Sequence, residues 1–298
     1  MTSTTTSAHP DTTGLAPLKR VAVIGFGTMG SGIAQVCAAA GIDVRVVEPS
    51  DAVIERDMAA IAKQLDRSVA KGRIEQADRD ATLARITPST DVAHAFDAQL
   101  IIEAIPERLE LKRELFATLD ANIGEETVLA TNTSALSVTE IAAATTRPER
   151  VVGLHFFNPV PVLPLVEVVR AERSGDAAVA RAFAFVEQIA KQPILCRDTP
   201  GFVVNRILIP MLNDVVALWD QGLASAADID LGCRGGLNWP IGPLALCDLI
   251  GLDVAVHAAE ALYAASREPR MAPPAAMVRL VKAGKLGRKS GEGFYTYA

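Results

Sequence analysis

The sequence predicts two folded parts, an α/β domain with a mostly parallel β-sheet followed by an all-α domain. Up to about residue 198, short runs of β-branched residues alternate with longer amphipathic stretches, which is typical of a sheet with helices on both faces. Beyond that point, strand-like runs disappear until the last few residues and helical periodicity takes over. Aromatic residues make up only 5% of the chain, which favours close-packed helices over an all-β sandwich.

The boundary between the two parts falls at the turn-forming run Asp198-Thr199-Pro200-Gly201. We therefore predict a disordered Thr/Ser-rich tail at 1–17, the α/β domain at 18–199 and the helical domain at 200–298. The predicted strands are 21–24, 44–47, 100–102, 128–131, 151–154, 165–169 and 194–196. The predicted helices are one that ends near residue 40, then 51–71, 76–85, 176–191, 203–221, 248–265 and 274–283.

Composition excludes several classes of protein. Half of the 298 residues are hydrophobic and 21% are charged, so the chain can bury a core and is not globally disordered. The net charge of −6 argues against a general nucleic-acid-binding protein. No stretch reaches the roughly 18 uninterrupted apolar residues of a membrane span. The first residues also lack the apolar core of a secretory signal.

The four cysteines, Cys37, Cys196, Cys233 and Cys247, are too scattered for a CxxC pair and too few for a disulfide framework. We therefore expect a reduced, cytoplasmic setting. No group of His, Cys and carboxylate residues has the spacing of a metal site, so the sequence predicts no metal.

A Gly-rich turn after the first predicted strand carries the pattern G-x-G-x-x-G, written here as Gly25-Phe26-Gly27-Thr28-Met29-Gly30. The pattern by itself also fits an ordinary turn, but here it follows a strand and opens a helix. In that setting the glycines allow a tight turn, a close backbone approach to a pyrophosphate and close helix–strand packing. The motif predicts a Rossmann-like domain that binds the phosphates of a dinucleotide at a helix N-terminus. The expected cofactor contacts in this turn are Gly25, Gly27, Thr28, Met29 and Gly30.

Glu48 ends the second predicted strand. A carboxylate at this place hydrogen-bonds the ribose hydroxyls of NAD and repels the 2′-phosphate of NADP. The alternative is a solvated charge at the end of a strand. Given the Gly-rich turn, we expect Glu48 to select NAD.

Two polar residues interrupt apolar strands further along the chain. His155 directly follows the run Val151-Val152-Gly153-Leu154, at the carboxyl end of a strand, where open α/β sheets bind their ligands. Glu167 lies within a buried-looking strand and needs a partner, because burying an unpaired carboxylate is costly. We expect it to pair with His155, to fix the tautomer of the imidazole and to stabilise the imidazolium that forms when His155 takes a proton.

Ser134 follows another strand, and Asn205 opens the first helix after the domain boundary. Both side chains can exchange hydrogen bonds with a small oxygen of a substrate. They can equally cap a helix or form a turn, and the residues alone leave both roles open.

Three segments of the chain resemble the L-3-hydroxyacyl-CoA dehydrogenases. They are HFFNPVP at 155–161 with LVEV at 165–168, DTPGFVVNR at 198–206 and GRKSGEGFY at 287–295. The resemblance spans about residues 19–298 and implies a Rossmann-like domain plus a helical domain, usually dimeric through the latter. It also implies NAD-dependent interconversion of 3-hydroxyacyl-CoA and 3-oxoacyl-CoA. The length is similar to that of the short bacterial members, which act on 3-hydroxybutyryl-CoA and lack a fused hydratase domain.

The resemblance also implies a role for individual residues. His155 matches the general base of the family and Glu167 its carboxylate partner. Ser134 and Asn205 match residues that hydrogen-bond near the reacting oxygen and position the substrate and the nicotinamide. The positions that match further cofactor contacts are Glu107, Lys112, Asn158 and Lys289.

A basic helix face is the candidate site for the CoA moiety. Lys71 matches a lysine that contacts CoA in the family, whereas Gln64 falls where some relatives have a CoA-binding serine. Lys63, Arg67 and Lys71 recur with i, i+4 spacing, and Arg73 is close by. The alternative is a solvated face whose cations pair with neighbouring acids, for which the candidates are Glu55, Asp66 and Glu75.

Two rival functions share this architecture. One is a dehydrogenase of free hydroxy acids or sugar acids, and the other is a non-catalytic binding protein of crystallin type. The sequence does not determine the acyl length, the direction of the reaction or whether the acyl tail carries a carboxylate. The apolar helices after Pro200, with Trp219 and Trp239, predict a homodimer through the helical domain.

Overall fold

The structure is a computed structural model that describes residues 9–297. The chain divides into two compact units between Thr199 and Pro200. The division lies within the Pro- and Gly-containing run that marks the boundary in the sequence. Each unit has a hydrophobic core of its own.

The first unit is built on one eight-stranded sheet. Its strands are β1 (Arg20–Ile24), β2 (Asp43–Val47), β3 (Ile86–Ser89), β4 (Leu100–Glu103), β5 (Val128–Thr131), β6 (Val151–Phe156), β7 (Leu165–Arg170) and β8 (Gln192–Arg197). Their order across the sheet is β3-β2-β1-β4-β5-β6-β7-β8. All neighbours run parallel except β6 and β7, which are antiparallel, so the predicted mostly parallel sheet is confirmed.

Helices connect these strands and cover the sheet. They are α1 (Thr28–Ala39), α2 (Asp51–Ala70), α3 (Gln76–Ala84), α4 (Leu109–Asn122), α5 (Val138–Ala142) and α6 (Asp176–Gln188). Strands β4 and β5 are buried throughout, which explains why they are short unbroken apolar runs without alternation. Strand order reverses between β1 and β4, and the carboxyl ends of these two strands form the point where such sheets bind nucleotides.

The second unit is helical, as predicted. It contains α7 (Val204–Asp220), α8 (Ala226–Gly236), α9 (Pro243–Ile250), α10 (Leu252–Ser266) and α11 (Ala275–Lys282). Its core includes Leu212 and Val216 of α7, Leu244 of α9 and Leu252 of α10. Within the described residues, no helix combines the length and the apolar character needed to cross a bilayer.

Several element predictions were wrong. The single helix predicted at 248–265 is the two helices α9 and α10, because Gly251 has a φ of +99° and interrupts the helical path. Strand β3 and helices α4, α5 and α8 were missed. Strand β3 is a short edge strand that buries Ile86 and contains Pro88, so it lacks the apolar alternation that the prediction relied on.

The predicted disordered tail lies outside the described residues at positions 1–8. For positions 9–17 the structure differs from the prediction. The imidazole of His9 lies 4.9 Å from the ring of Phe183, and the carbonyl of Ala16 accepts a hydrogen bond of 2.6 Å from Arg181. A polar composition therefore did not prevent this segment from docking on α6, because a few side chains of that helix hold it.

Candidate active site

The Gly-rich turn lies between the end of β1 and the start of α1. A side chain at Gly25, whose φ is +90°, would place its Cβ 2.7 Å from the carbonyl oxygen of Ala104. A Cβ at Gly30 would lie 1.8 Å from the carbonyl oxygen of Gly25. A Cβ at Gly27, in contrast, would have no atom within 4 Å. The first and third glycines are therefore required by backbone packing, and the second leaves open space in front of the helix N-terminus, as a bound pyrophosphate requires.

A cavity of about 740 Å³ opens beside this turn. That volume is typical of small-molecule sites. Gly25, Gly27, Thr28 and Met29 contribute to its lining, together with Glu48. Gly30 does not line it, because this residue is buried where α1 packs against the turn. Much of the remaining wall is apolar and is formed by Val47, Val53, Val92, Ile105, Leu111 and Leu115.

Glu48 is held in place by backbone donors. Its Oε2 accepts a hydrogen bond of 3.1 Å from the amide of Phe26, and its Oε1 accepts one of 3.3 Å from the amide of Ser50. The carboxylate therefore has a defined position on the cavity wall, where a ribose diol can reach it. Arg56 lines the same cavity and was missed in the sequence, although its place on the helix after Glu48 is a usable signal.

His155 and Glu167 lie on the two antiparallel strands of the sheet. The register of β6 and β7 places them directly opposite each other, and Nδ1 of His155 is 2.6 Å from Oε2 of Glu167. His155 is 5% exposed and Glu167 is completely buried. A carboxylate at Nδ1 favours the tautomer with the proton on Nδ1, which leaves the lone pair on Nε2 for proton transfer. His155 lies within β6, not after it, because β6 continues to Phe156.

Ser134 lies in the loop after β5, and Glu107 binds that loop. Oε1 of Glu107 accepts hydrogen bonds from the amide of Ser134 at 2.9 Å and from the hydroxyl of Thr133 at 2.5 Å. The hydroxyl of Ser134 is 3.5 Å from the same oxygen. Two residues expected at the cofactor and the substrate are thus neighbours. Thr133 helps to fix this loop through its hydrogen bond to Glu107, and it was not among the predicted site residues.

Lys112 is the clearest difference from the expected set of cofactor contacts. Its side chain is 1% exposed, and its ammonium lies 2.5 Å from Oε1 of Glu103 and 3.2 Å from Oε2 of Glu107. A buried ammonium that two carboxylates enclose is not available to a ligand at the surface. The described geometry therefore indicates that Lys112 holds Glu107 and does not itself contact the cofactor.

The pKa values of Glu103 and Glu107 shift in opposite directions. Burial raises the pKa of the Glu103 carboxyl, and the nearby Lys112 ammonium offsets this only in part. Burial also acts to raise the pKa of Glu107, but the charge of Lys112 and the hydrogen bonds from Thr133 and Ser134 outweigh it and lower that pKa. Glu107 therefore remains ionised at neutral pH and keeps its hold on the Ser134 loop.

Asn132 connects the Ser134 loop to β6, the strand that contains His155. Its Oδ1 accepts a hydrogen bond of 2.9 Å from the amide of Phe156, and its own amide donates to the carbonyl of Glu103 at 2.8 Å. Asn158 follows β6 and is exposed, so its side chain is available to a ligand. Glu103, Thr131 and Asn132 were missed, although polar residues at the carboxyl ends of buried strands are a signal for such positions.

Two predicted site residues belong to the second unit. Asn205 is half-buried in the first turn of α7. Lys289 pairs with Asp253, and the two atoms Nζ and Oδ1 are 2.5 Å apart. That pair and the charge of Lys289 lower the pKa of the Asp253 carboxyl. The roles of Asn205 and Lys289 at the cofactor and substrate stay predictions.

The candidate CoA face of α2 is exposed and carries a surplus of positive charge. Lys63, Arg67, Lys71 and Arg73 are all exposed, and none of them takes part in an ion pair among residues 9–297. Two of the acids proposed as their partners are engaged elsewhere. Asp66 pairs with Arg79 at 3.0 Å, and Glu75 forms the capping box of α3. Gln64 is exposed as well, and its carbonyl accepts from Ser68. The binding of CoA by this face stays a prediction.

A Rossmann-like sheet with a Gly-rich phosphate turn, an anchored acid at the second strand and a buried His–Glu pair defines a dinucleotide-dependent oxidoreductase. The described residues contain no group of three or more His, Cys, Asp or Glu side chains that could hold a metal. The chain belongs to the 3-hydroxyacyl-CoA dehydrogenase family. The family model of the NAD-binding domain matches residues 20–199, and that of the C-terminal domain matches residues 201–297.

Similar proteins cover nearly the whole chain. A 3-hydroxybutyryl-CoA dehydrogenase of Mycobacterium tuberculosis is 45% identical over 282 residues, which are 94% of this chain and 99% of the relative. One from Clostridioides difficile is 42% identical over 278 residues, or 93% and 99% of the two chains. The crystal structure of (S)-3-hydroxybutyryl-CoA dehydrogenase from Ralstonia eutropha has a TM-score of 0.91, is 43% identical and covers 94% and 99% of the two chains. The protein is therefore an enzyme that uses NAD.

Proposed function

We propose that this enzyme interconverts (S)-3-hydroxybutyryl-CoA and acetoacetyl-CoA with NAD(H). The observation that carries the proposal is the distance of 2.6 Å between Nδ1 of the buried His155 and the carboxylate of Glu167. This pair provides a base for the C3 hydroxyl of a hydroxyacyl substrate. The names of the similar proteins support the choice of a short acyl chain.

In the direction of oxidation, different residues of the chain have different roles. Bound NAD would supply the hydride acceptor for C3 of the substrate. His155 accepts the proton of the C3 hydroxyl at Nε2, and the carboxylate of Glu167 stabilises the imidazolium that results. Ser134 donates to or accepts from the reacting oxygen and holds C3 in place. Gly25, Gly27, Thr28 and Met29 hold the phosphates of the cofactor, and Glu48 holds its adenosine ribose.

Substrate comparison tests this proposal. The purified enzyme should oxidise (S)-3-hydroxybutyryl-CoA with NAD and should be far less active on free 3-hydroxybutyrate, since the free acid lacks the CoA moiety. Equal or greater turnover of the free acid would identify the enzyme as a dehydrogenase of free hydroxy acids. Binding of NADH without turnover of any hydroxyacyl-CoA would identify it as a binding protein. A series of acyl lengths that includes 3-hydroxyadipyl-CoA would define the acyl pocket.

The exposed cations of α2 give a second test of the CoA moiety. Lys71→Gln should raise KM for the acyl-CoA about threefold to fivefold, because losing one exposed charge contact costs up to about 1 kcal/mol. Lys19→Gln removes an exposed lysine from another part of the first unit and should leave KM unchanged. If both variants behave alike, the face of α2 does not bind CoA.

We also propose a homodimer through the helical second unit. Several large apolar side chains on or beside its helices are exposed by 43–67%, namely Leu218, Leu223, Leu231, Leu237 and Leu249. Trp219 does not belong to this set, because its ring packs edge-on against Phe294 at 5.0 Å. Sedimentation at micromolar concentration should show two chains per particle, and a monomer would contradict the proposal.

We also propose a cytoplasmic location, which is supported by the free state of all four cysteines.

A further inference from the structure

A polar network runs from the end of β4 to the loop that carries Ser134. Its innermost member is Glu103, which is completely buried. Oε1 of Glu103 accepts from the ammonium of Lys112 at 2.5 Å and from the amide of Ile105 at 2.8 Å, and its Oε2 accepts from the hydroxyl of Thr131 at 2.7 Å. Every carboxylate oxygen of Glu103 therefore has a donor, and the side chain is fixed from both sides.

The network continues from Lys112 to the surface of the first unit. The ammonium of Lys112 also lies 3.2 Å from Oε2 of Glu107, whose side chain is 39% exposed. The other oxygen of Glu107 accepts from Thr133 and from the amides of Ser134 and Ala135, at 2.5, 2.9 and 3.3 Å. The Lys112 ammonium thus lies between the buried carboxylate of Glu103 and the partly exposed carboxylate of Glu107. Glu107 in turn binds the loop of Ser134.

We propose that Glu103 is a positioning residue for the dehydrogenase reaction, which acts through Lys112 and Glu107 to set the position of Ser134. The inference rests on the proposed function, since Ser134 is taken to contact the reacting oxygen there. Glu103 anchors the ammonium on the inner side, so Lys112 meets Glu107 from a fixed point. Glu107 in turn binds the loop 133–135 through one carboxylate oxygen, which also lies 3.5 Å from the Ser134 hydroxyl.

Geometry separates this role from simple stabilisation of the fold. Thr131 connects the two branches of the network, because its hydroxyl donates to Glu103 and accepts from the amide of Thr133 at 3.3 Å. The loop of Ser134 is therefore held by Glu103 along two routes, one through Thr131 and one through Lys112 and Glu107. A buried ion pair without such connections would stabilise the fold and leave the loop unaffected.

Kinetics of Glu103→Gln test the proposal. The variant keeps the shape of the side chain but removes the negative charge that anchors the Lys112 ammonium. We expect kcat with (S)-3-hydroxybutyryl-CoA and NAD to fall at least tenfold. In a Ser134→Ala background, Glu103→Gln should cost less than twofold, because the group that it positions is already absent.

A second variant controls for misfolding of Glu103→Gln. Glu103→Gln combined with Lys112→Met removes both charges of the buried pair, a change that buried pairs tolerate better than the loss of one partner. It should fold and should show the same loss of kcat as Glu103→Gln. Asp120→Asn is the matched control, since Asp120 is a buried carboxylate on α4 and lies outside the network. It should lower thermal stability and leave kcat unchanged.

Hydrogen exchange gives a readout that does not depend on activity. The amides of Ser134 and Ala135 should exchange at least tenfold faster in Glu103→Gln than in the wild type, while the amide of Phe156, bound by Asn132, should not change. Wild-type kcat in folded Glu103→Gln, losses that multiply with Ser134→Ala, or unchanged exchange at Ser134 would each overturn the inference. Failure of the wild type to turn over hydroxyacyl-CoA, with exchange at Ser134 altered as expected, would instead contradict the proposed function.

Discussion

Nδ1 of His155 lies 2.6 Å from Oε2 of Glu167 because β6 and β7 pair in antiparallel register with these two residues opposite each other. Among the strands of residues 9–297, this is the one antiparallel step in an otherwise parallel sheet. In a parallel pair the two carboxyl ends would lie side by side, and Glu167, near the middle of β7, would not meet a residue close to the end of β6. The change of strand direction therefore brings His155 and Glu167 together.

Removal of either member of the pair should slow the reaction without weakening cofactor binding. His155→Gln should lower kcat by about a hundredfold to ten-thousandfold, which is the usual value of general-base assistance. Glu167→Gln keeps the shape but removes the charge that stabilises imidazolium, and its loss should also be large. The double variant should be little worse than His155→Gln, because members of one catalytic unit are not additive.

Kinetics and cofactor binding measured on the same variants check the pair. Steady-state kinetics with NAD in excess would measure the loss in each variant, and fluorescence titration with NADH would show that the cofactor site is intact. If the two single losses simply multiply, Glu167 is a structural carboxylate.

Cofactor choice should depend on Glu48. The wild type should prefer NAD to NADP by at least tenfold in kcat/KM, since repulsion between a carboxylate and a 2′-phosphate should cost more than about 1.4 kcal/mol. Glu48→Ser should narrow that ratio. Asp51→Asn is a suitable control, because Asp51 is exposed nearby and does not line the cavity. Equal use of both cofactors by the wild type would contradict this prediction.

The glycines of the phosphate turn should respond differently to the same substitution. Gly30→Ala would place a Cβ 1.8 Å from the carbonyl oxygen of Gly25, so the turn has to move and stability should fall by about 1–3 kcal/mol or more. Gly27→Ala meets no atom within 4 Å and should fold normally, but its methyl group occupies the space that the phosphates need. NADH affinity should fall at least tenfold in Gly27→Ala. Gly232→Ala, also in open space but within α8, should leave NADH affinity unchanged and should not lower stability, because alanine is a better helix former than glycine.

Acid stability should depend on Asp120. Its carboxylate accepts hydrogen bonds from Thr146 at 2.7 and 2.6 Å and from Arg147 and Arg150 at 3.0 Å each. Burial acts to raise the pKa of Asp120, but these hydrogen bonds outweigh it and lower the pKa from 3.8 to about 2. Because the folded pKa lies below the unfolded one, Asp120 stabilises the fold above about pH 4, and this contribution is lost as the pH falls towards 2.

Thermal melts of Asp120→Asn measure this contribution. At pH 7 the variant should melt about 4–8 °C below the wild type, since leaving buried donors without their charged acceptor costs about 1–3 kcal/mol. The difference should shrink as the pH is lowered from 4 to 2, because the wild type then loses the same contribution. A difference in Tm that stays constant over this interval would show that the charge of Asp120 does not matter.

The sequence by itself determined the features that local patterns encode. The G-x-G-x-x-G turn between a strand and a helix predicted a dinucleotide-binding domain, which the match to the NAD-binding family model confirms. Turn geometry and helix packing require glycine at Gly25 and Gly30. The pairing of His155 with Glu167 followed from the cost of burying a lone carboxylate. The switch from strand to helix patterns also located the division at Thr199 and Pro200.

The ion pairs between distant parts of the chain could be identified only from the tertiary structure. Glu103, Lys112 and Glu107 come from the end of a strand, a helix and a loop, and nothing in their spacing shows that one ammonium lies between two carboxylates. The burial of Lys112 was hidden for the same reason, since a lysine on an amphipathic helix is ordinarily exposed. The break between α9 and α10 depends on the φ of Gly251, and the sequence there carries an unbroken helical pattern. Local patterns reflect backbone preference and burial of one face, whereas ion pairs between distant elements depend on how the chain folds in three dimensions.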